Sequence, residues 1–314
     1  MRLVSYKNKS GQYRIGCVTD GEVADLQEGY AALLKENGDH DAAGWVDELL
    51  PSDPDRFYSR GQNTMNMAWQ AHDYIINHKQ EIELVAMDEL TLGTPISNPQ
   101  KIICVGKNYA DHAEEMNSAI PEIPVLFAKF SNALIGPEDH IEKSSLTDKL
   151  DYEVELAVVI GKTASRVTQE EALDYVAGYT IANDTSARDM QKRTPQWLQG
   201  KSHDRSTPIG PWVVTPEEVP DPHKLAIRSS VNGEKRQASN TSKLIFDIPY
   251  LLEFTSSFMT LVPGDIILTG TPDGVGAGMN PPSFLQDGDQ ITLEIESIGK
   301  MESSVIDPSK LERS

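Results

Sequence analysis

The run Asp151-Tyr152-Glu153-Val154-Glu155-Leu156-Ala157-Val158-Val159-Ile160 constrains this chain more than any other stretch. Read as a strand, it alternates faces, so Tyr152, Val154, Leu156, Val158 and Ile160 share one side. Glu153 and Glu155 share the other, about 6–7 Å apart along the backbone. Ala157 and Val159 continue that second side and are apolar. Two carboxylates so placed repel unless something positive lies between them. An E-x-E pair in a strand is otherwise a solvated face. Here the apolar continuation points instead to a metal at the mouth of a buried cleft.

Strands dominate what surrounds this run. KIICVG, PVLFAKF, YTIANDTS, PWVV, LAIRSSVNG, DIILTG, QITLEIES and KMESSVI all read as strands, with turns at Pro263-Gly264-Asp265 and Asp287-Gly288-Asp289. Helices interrupt rarely: the capping box Thr168-Gln169-Glu170-Glu171 opens TQEEALDYVAGY, and IPYLLEFTSSFM reads as another. This pattern predicts an α+β, β-rich fold, mixed but mostly antiparallel, with appended helices. The first part differs. RLVSY, YRIGCVTD and EVADL are short strands, followed by a helical YAALLKENG and a second helix from about Met65 to His78. Two prolines in Gly93–Pro99 mark a linker, giving a small N-terminal α/β domain over residues 1–97 and a larger domain over 98–314.

Of the 314 residues, 28 are basic and 48 acidic, a formal charge of −20. That field opposes nucleic acid and anionic membrane surfaces, but a bound cation can invert it locally for a small anionic substrate. Cys17 and Cys104 sit in apolar runs and read as buried free thiols. With no signal-peptide pattern and no apolar span, a cytoplasmic location is expected.

Three further constellations carry chemistry. Asp184 follows the apolar YTIA and opens a polar loop, so it can complete a set of three oxygen donors suited to Mg²⁺ or Mn²⁺, although on its own such an Asp is more often a turn or helix-cap residue than a ligand. In GKNYADHAEE, His112 and Glu115 become i, i+3 neighbours if the segment is helical, a general base with its orienting carboxylate or an ordinary surface pair. GDIILTGTPDGVGAG follows a strand but has neither Gly-Lys-Ser/Thr nor G-x-G-x-x-G spacing, so nucleotide binding is rejected. A carboxylate held by backbone N–H groups and Thr269 or Thr271 fits it better.

Taken in order, GKNYADHAEEM, PVLFAKF, DYEVELAVVIGK, NDTSARDMQ, GKSHDRSTPIGPWVV, VNGEKRQ, NTSKLIF and PGDIILTGTPDGVG resemble the fumarylacetoacetate hydrolase family, from about Asn98 to the C-terminus. The resemblance implies a rolled mixed β-structure, with Mg²⁺, Mn²⁺ or Ca²⁺ held by Glu153, Glu155 and Asp184. It implies a catalytic His112–Glu115 pair on a lid. It also implies that Arg188, Gln191 and Lys201 polarise substrate oxygens and that Thr271 meets the oxo-acid end. Tyr109 and Lys129, in the same motifs, are further candidate substrate contacts. His203 and Phe130 depart from the family pattern and are expected to shape the pocket. The first domain resembles the small extra domain of longer bacterial members, and a homodimer through the larger domain is implied.

The expected activity is metal-dependent carbon–carbon cleavage of an acylpyruvate-type 2-oxo acid, with His112 activating water and Lys201, Arg188 and Gln191 receiving the oxyanion. The alternatives are decarboxylation or isomerisation of oxaloacetate or a related 2-oxo dioate, and a non-catalytic binding protein that keeps the fold.

Overall fold

The computed structural model describes residues 1–310. Its organising element is the strand Val154–Ile160, buried at every position. It lies antiparallel between Val176–Asn183 on one side and Ile266–Leu268 on the other. Ile102–Gly106 follows in parallel, then Val125–Lys129 antiparallel at the edge. In the other direction Val176–Asn183 pairs with Thr207–Val214, which meets Arg2–Lys7 through Leu3 opposite Val213. The strands Tyr13–Thr19, Glu22–Asp25 and Leu84–Ala86 continue the same sheet outward. A second, five-stranded sheet contains Glu234–Asn240, Ala226–Val231, Gln290–Ile295, Gly299–Ile306 and Ile141–Glu142.

The period of two in the central strand sorts its side chains into two cores. Tyr152, Val154, Leu156, Val158 and Ile160 pack with Ile227, Ile291, Leu293, Ile295 and Val305 of the second sheet. Ala157 and Val159 pack with Leu3, Ile15, Leu26, Phe57, Ala68 and Ile75 of the first hundred residues. Both faces are therefore dry, and each fully buried Val, Leu or Ile adds roughly 1.5–3 kcal/mol. Glu153 and Glu155 lie on the face that the N-terminal strands and helices cover further along.

Two expectations change. The capping box at Thr168 forms by half, with the Thr168 N–H donating to Glu171 Oε1 at 3.1 Å. It opens only a short 3-10 turn, Ala172–Tyr175, before the chain turns into Val176–Asn183. Gly178 weakens helix there, and a Cβ on it would come within 2.5 Å of the Val214 carbonyl oxygen, so close sheet pairing overrides the local signal. Glu234–Asn240 is a strand that the sequence does not announce, because it sits at a sheet edge with mostly polar side chains and no alternation to read. IPYLLEFTSSFM forms the helix Ile248–Phe258, capped by Asp247 with the Tyr250 N–H. The Met65 region forms the helix Gln62–Asn77. Among the described residues no helix is long and apolar enough to cross a membrane.

Candidate metal and proton-transfer site

Strand pairing assembles three carboxylates. Val154 lies opposite Asn183, the Asp184 N–H donates to the Glu153 carbonyl at 2.9 Å, and the Asn183 side chain accepts from the Glu153 N–H at 2.9 Å. The end of one strand is thus pinned to the end of the next. Carboxylate oxygens of Glu153, Glu155 and Asp184 come within 4.8 Å of one another, all buried. The three open into a cavity of about 380 Å³, lined also by His112, Arg188, Gln191, Lys201 and Thr271. Every lining residue comes from Val105 onward.

The charges are unevenly matched. Lys201, ending the short helix Leu198–Lys201, places its Nζ 2.6 Å from Glu153 Oε2 and 2.6 Å from Asp184 Oδ2. Burial alone would lower this ammonium's pKa, but Asp184 and Glu153 outweigh it and hold the group protonated. Arg188 donates from Nε to Asp151 at 2.8 Å, from Nη2 to Glu153 at 2.6 Å and from Nη1 to the Gln191 side-chain oxygen at 3.2 Å. Burial pushes the Glu153 carboxyl up, yet Arg188, Lys201 and His112 overcome it and keep it ionised. Among the described residues no cation is paired with Glu155. It accepts only the Gly270 N–H, at 2.7 Å, and burial together with Asp184 and Glu153 drives its carboxyl well above the ordinary range. A buried carboxylate without a counter-ion, within reach of two others, is a set of hard oxygen donors that fits Mg²⁺, Mn²⁺ or Ca²⁺.

The His112–Glu115 pair forms as expected on the helix Ala110–Glu115, with Nδ1 3.3 Å from Glu115 Oε2. Glu115 Oε1 accepts the Gly274 N–H at 2.9 Å, so the glycine-rich turn fixes the orienting carboxylate. Gly278 makes room for it, since a Cβ there would lie 2.2 Å from Glu115 Cδ.

Four expected contacts fall outside the cavity. Lys129 is fully buried behind its wall, donating to Asp184 Oδ1 at 2.8 Å and the Thr185 carbonyl at 3.1 Å, so it steadies a carboxylate instead of meeting substrate. Tyr109 is also buried behind the wall, its hydroxyl without a hydrogen-bond partner among the described residues. Phe130 and His203 share a different surface depression, with Leu146 and Leu198.

Sequence reading missed two residues. Asp151 is buried and accepts Arg188 Nε and the N–H groups of Gly276 and Ala277. Its signal is present, since positions 151, 153 and 155 form one period-two row of acids. Gln237 is buried in VNGEKRQ, a motif noted without a role for it. Its Oε1 accepts the Val154 N–H, between the two glutamates, at 3.0 Å. Its Nε2 donates to Thr271 Oγ1 at 2.7 Å and to the Pro272 carbonyl at 2.8 Å. The Thr271 hydroxyl in turn donates to the Val154 carbonyl at 2.9 Å. One amide therefore ties the metal strand to the TGTP turn.

A carboxylate trio at strand ends and a His112 backed by Glu115, lining one cavity on a rolled mixed sheet, define a class of enzyme. Residues 101–306 match the fumarylacetoacetate (FAA) hydrolase C-terminal family, and the chain belongs to that family. It is similar to oxaloacetate tautomerase Fahd2a, mitochondrial, of Rattus norvegicus, with 42% identity over 83% of this chain and 82% of that one. It is also similar to oxaloacetate tautomerase YisK of Bacillus subtilis, with 40% identity over 93% and 95%. Among solved structures, maleylpyruvate hydrolase from Sphingobium sp. SYK-6, in complex with manganese(II) and pyruvate, superposes with a TM-score of 0.74. That match has 31% identity and covers 98% of this chain and 99% of the other.

Proposed function

We propose that this enzyme moves a proton at carbon 3 of a 2-oxo dioate of the oxaloacetate class, interconverting its keto and enol forms with the help of a divalent cation. The observation that carries this reading is how the strong donors are committed. Arg188 is engaged by Asp151, Glu153 and Gln191, and Lys201 by Glu153 and Asp184. Acylpyruvate hydrolysis passes through a tetrahedral oxyanion that calls for strong donors beside the trio, and there Arg188 and Lys201 are already taken. Proton transfer requires a base and stabilisation of an enolate, and no such hole. The two relatives at 40–42% identity named oxaloacetate tautomerases support the same choice over the hydrolysis expected first.

A cation held by Glu153, Glu155 and Asp184, Mg²⁺ or Mn²⁺, supplies when bound the positive charge that favours ionisation next to a 2-oxo group. His112 takes the proton. With Nδ1–H directed to Glu115, Nε2 carries the lone pair on a residue that lines the cavity, a tautomer assigned from this hydrogen bond. The C3–H bond breaks with its proton passing to His112, its electron pair becomes the C2–C3 π bond, the C2=O π pair moves onto the 2-oxo oxygen, and His112 returns the proton there to give the enol. Gln191 accepts Arg188 with its oxygen and so keeps its side-chain N–H groups for a substrate oxygen. The Thr271 hydroxyl, its hydrogen given to Val154, offers substrate only a lone pair.

Hydrolysis remains the second reading, favoured by the maleylpyruvate hydrolase likeness. The purified chain with Mg²⁺ or Mn²⁺ should accelerate decay of the enol absorbance of oxaloacetate. Release of pyruvate from an acylpyruvate, with enol decay at the uncatalysed rate, would replace the first reading by the second. Carbon dioxide release from oxaloacetate would identify decarboxylation.

A further inference from the structure

We propose that Lys107 receives a second carboxylate of the substrate and makes the site selective for 2-oxo dioates over 2-oxo monoacids; this rests on the proton-transfer reading above. The cavity lining mixes charged and apolar residues. Beside the acidic trio the cations Arg188 and Lys201 are already paired. Val105, Met116, Phe127 and Trp197 line it as well, together with the exposed Lys192 and the half-buried Lys107.

Three features hold Lys107 there. Its backbone adopts φ 57°, a left-handed conformation unfavourable for a residue with a Cβ, at the junction of the strand Ile102–Gly106 and the helix Ala110–Glu115. Gly106 just before it lets Trp197 approach the backbone, because a Cβ would lie 2.4 Å from Trp197 Cζ3. The Lys107 ammonium then lies 6.0 Å from the centre of the Trp197 ring. Trp197 meets Phe127 edge-on at 5.2 Å, and Phe127 lies 4.8 Å from the Lys201 ammonium. Two aromatic rings thus separate two ammonium groups.

These two groups differ in their partners. Lys201 has two carboxylates. Lys107 has no ion pair among the described residues, and Asp111, the nearest acid in sequence, is engaged by Lys243 at 2.6 Å. In a chain of charge −20, a held and partly desolvated cation facing a substrate cavity without an anion is a site for one. A dioate that places its 2-oxo carboxylate at the trio can offer its second carboxylate to Lys107. A monoacid leaves the ammonium unpaired, and discrimination follows from that missing partner.

The test compares wild type with Lys107→Met and Lys107→Arg in the full chain loaded with Mn²⁺. Turnover of oxaloacetate is set against deuterium uptake at C3 of 2-oxobutanoate. The ratio of their kcat/KM values should fall about 10- to 100-fold in Lys107→Met, through the KM of oxaloacetate, and largely recover in Lys107→Arg. Independently of turnover, calorimetry should show 2-oxoglutarate binding weakened by a similar factor relative to oxalate, which has no carboxylate beyond its adjacent pair. An unchanged kcat/KM ratio together with an unchanged binding ratio overturns the role of Lys107 while leaving the proton-transfer reading intact. Loss of the 2-oxoglutarate preference in a protein that transfers no proton upholds Lys107 as a carboxylate receptor and removes the reaction.

Discussion

Two buried charged clusters in this molecule are built to opposite rules. In the first hundred residues Asp25 is fully subscribed. It accepts Arg14 through Nε at 2.5 Å and Nη2 at 2.8 Å, the Tyr6 hydroxyl at 2.6 Å and the Glu28 N–H at 2.9 Å. One carboxylate meets one guanidinium and caps the helix Leu26–Glu36. In the larger region Asp151, Glu153, Glu155 and Asp184 bring four carboxylates against Arg188, Lys201 and Lys129, and Glu155 is left with a backbone N–H. A closed cluster holds structure, because removing a partner leaves a buried charge alone. An open cluster with surplus carboxylates offers a place for a cation. The two should therefore respond to mutation in opposite ways.

The sharpest break is Glu155→Gln. The amide oxygen can still accept the Gly270 N–H, so the fold should persist and the cation-free protein should be at least as stable as wild type. Turnover should fall to the background rate and Mn²⁺ binding by calorimetry should be lost. His112→Ala comes next. It removes the base and should lower turnover roughly 10²–10⁴-fold, while Mn²⁺ affinity stays near wild type because the trio lies on other segments. Asp25→Ala inverts the pattern. Thermal or urea unfolding should show a loss of about 3–5 kcal/mol, with kcat per folded molecule unchanged.

Much of this contrast is legible in the chain. Glu153 and Glu155 announce themselves because period-two alternation puts like charges on an apolar face, and the same alternation foretells the two cores on either side of Val154–Ile160. His112 and Glu115 are legible as an i, i+3 pair. Gln237 is not, since its four side-chain hydrogen bonds join segments far apart in sequence and nothing local distinguishes it from an exposed glutamine. Lys129 misleads for the same reason. A lysine in a strand reads as a substrate contact or a surface charge, and only the packing shows it behind Asp184. The helix expected from Thr168 fails because pairing with Thr207–Val214 outweighs a cap worth about 1 kcal/mol.

The mildest test of the comparison concerns Asp47, an acid outside both buried clusters. Burial is the largest single influence and raises its carboxyl, but the Arg56 hydrogen bond, the Ser52 N–H, Gln27 and the Arg56 charge together outweigh it and bring it down to about 2. A carboxyl lowered on folding adds stability that is fully present above its unfolded value and lost as pH falls through the folded one. The window here runs from the ordinary 3.8 down to about 2. With its side chain 48% exposed, solvent screening keeps the contribution below about 1 kcal/mol. Asp47→Asn should therefore lower the melting temperature slightly at pH 6 and make no difference once the pH is below that window, flattening the acid limb of the stability curve by that small amount. A variant as stable as wild type at pH 6 would show that partners outside a dry core add nothing here, and would confine the contrast between closed and open charge clusters to the interior.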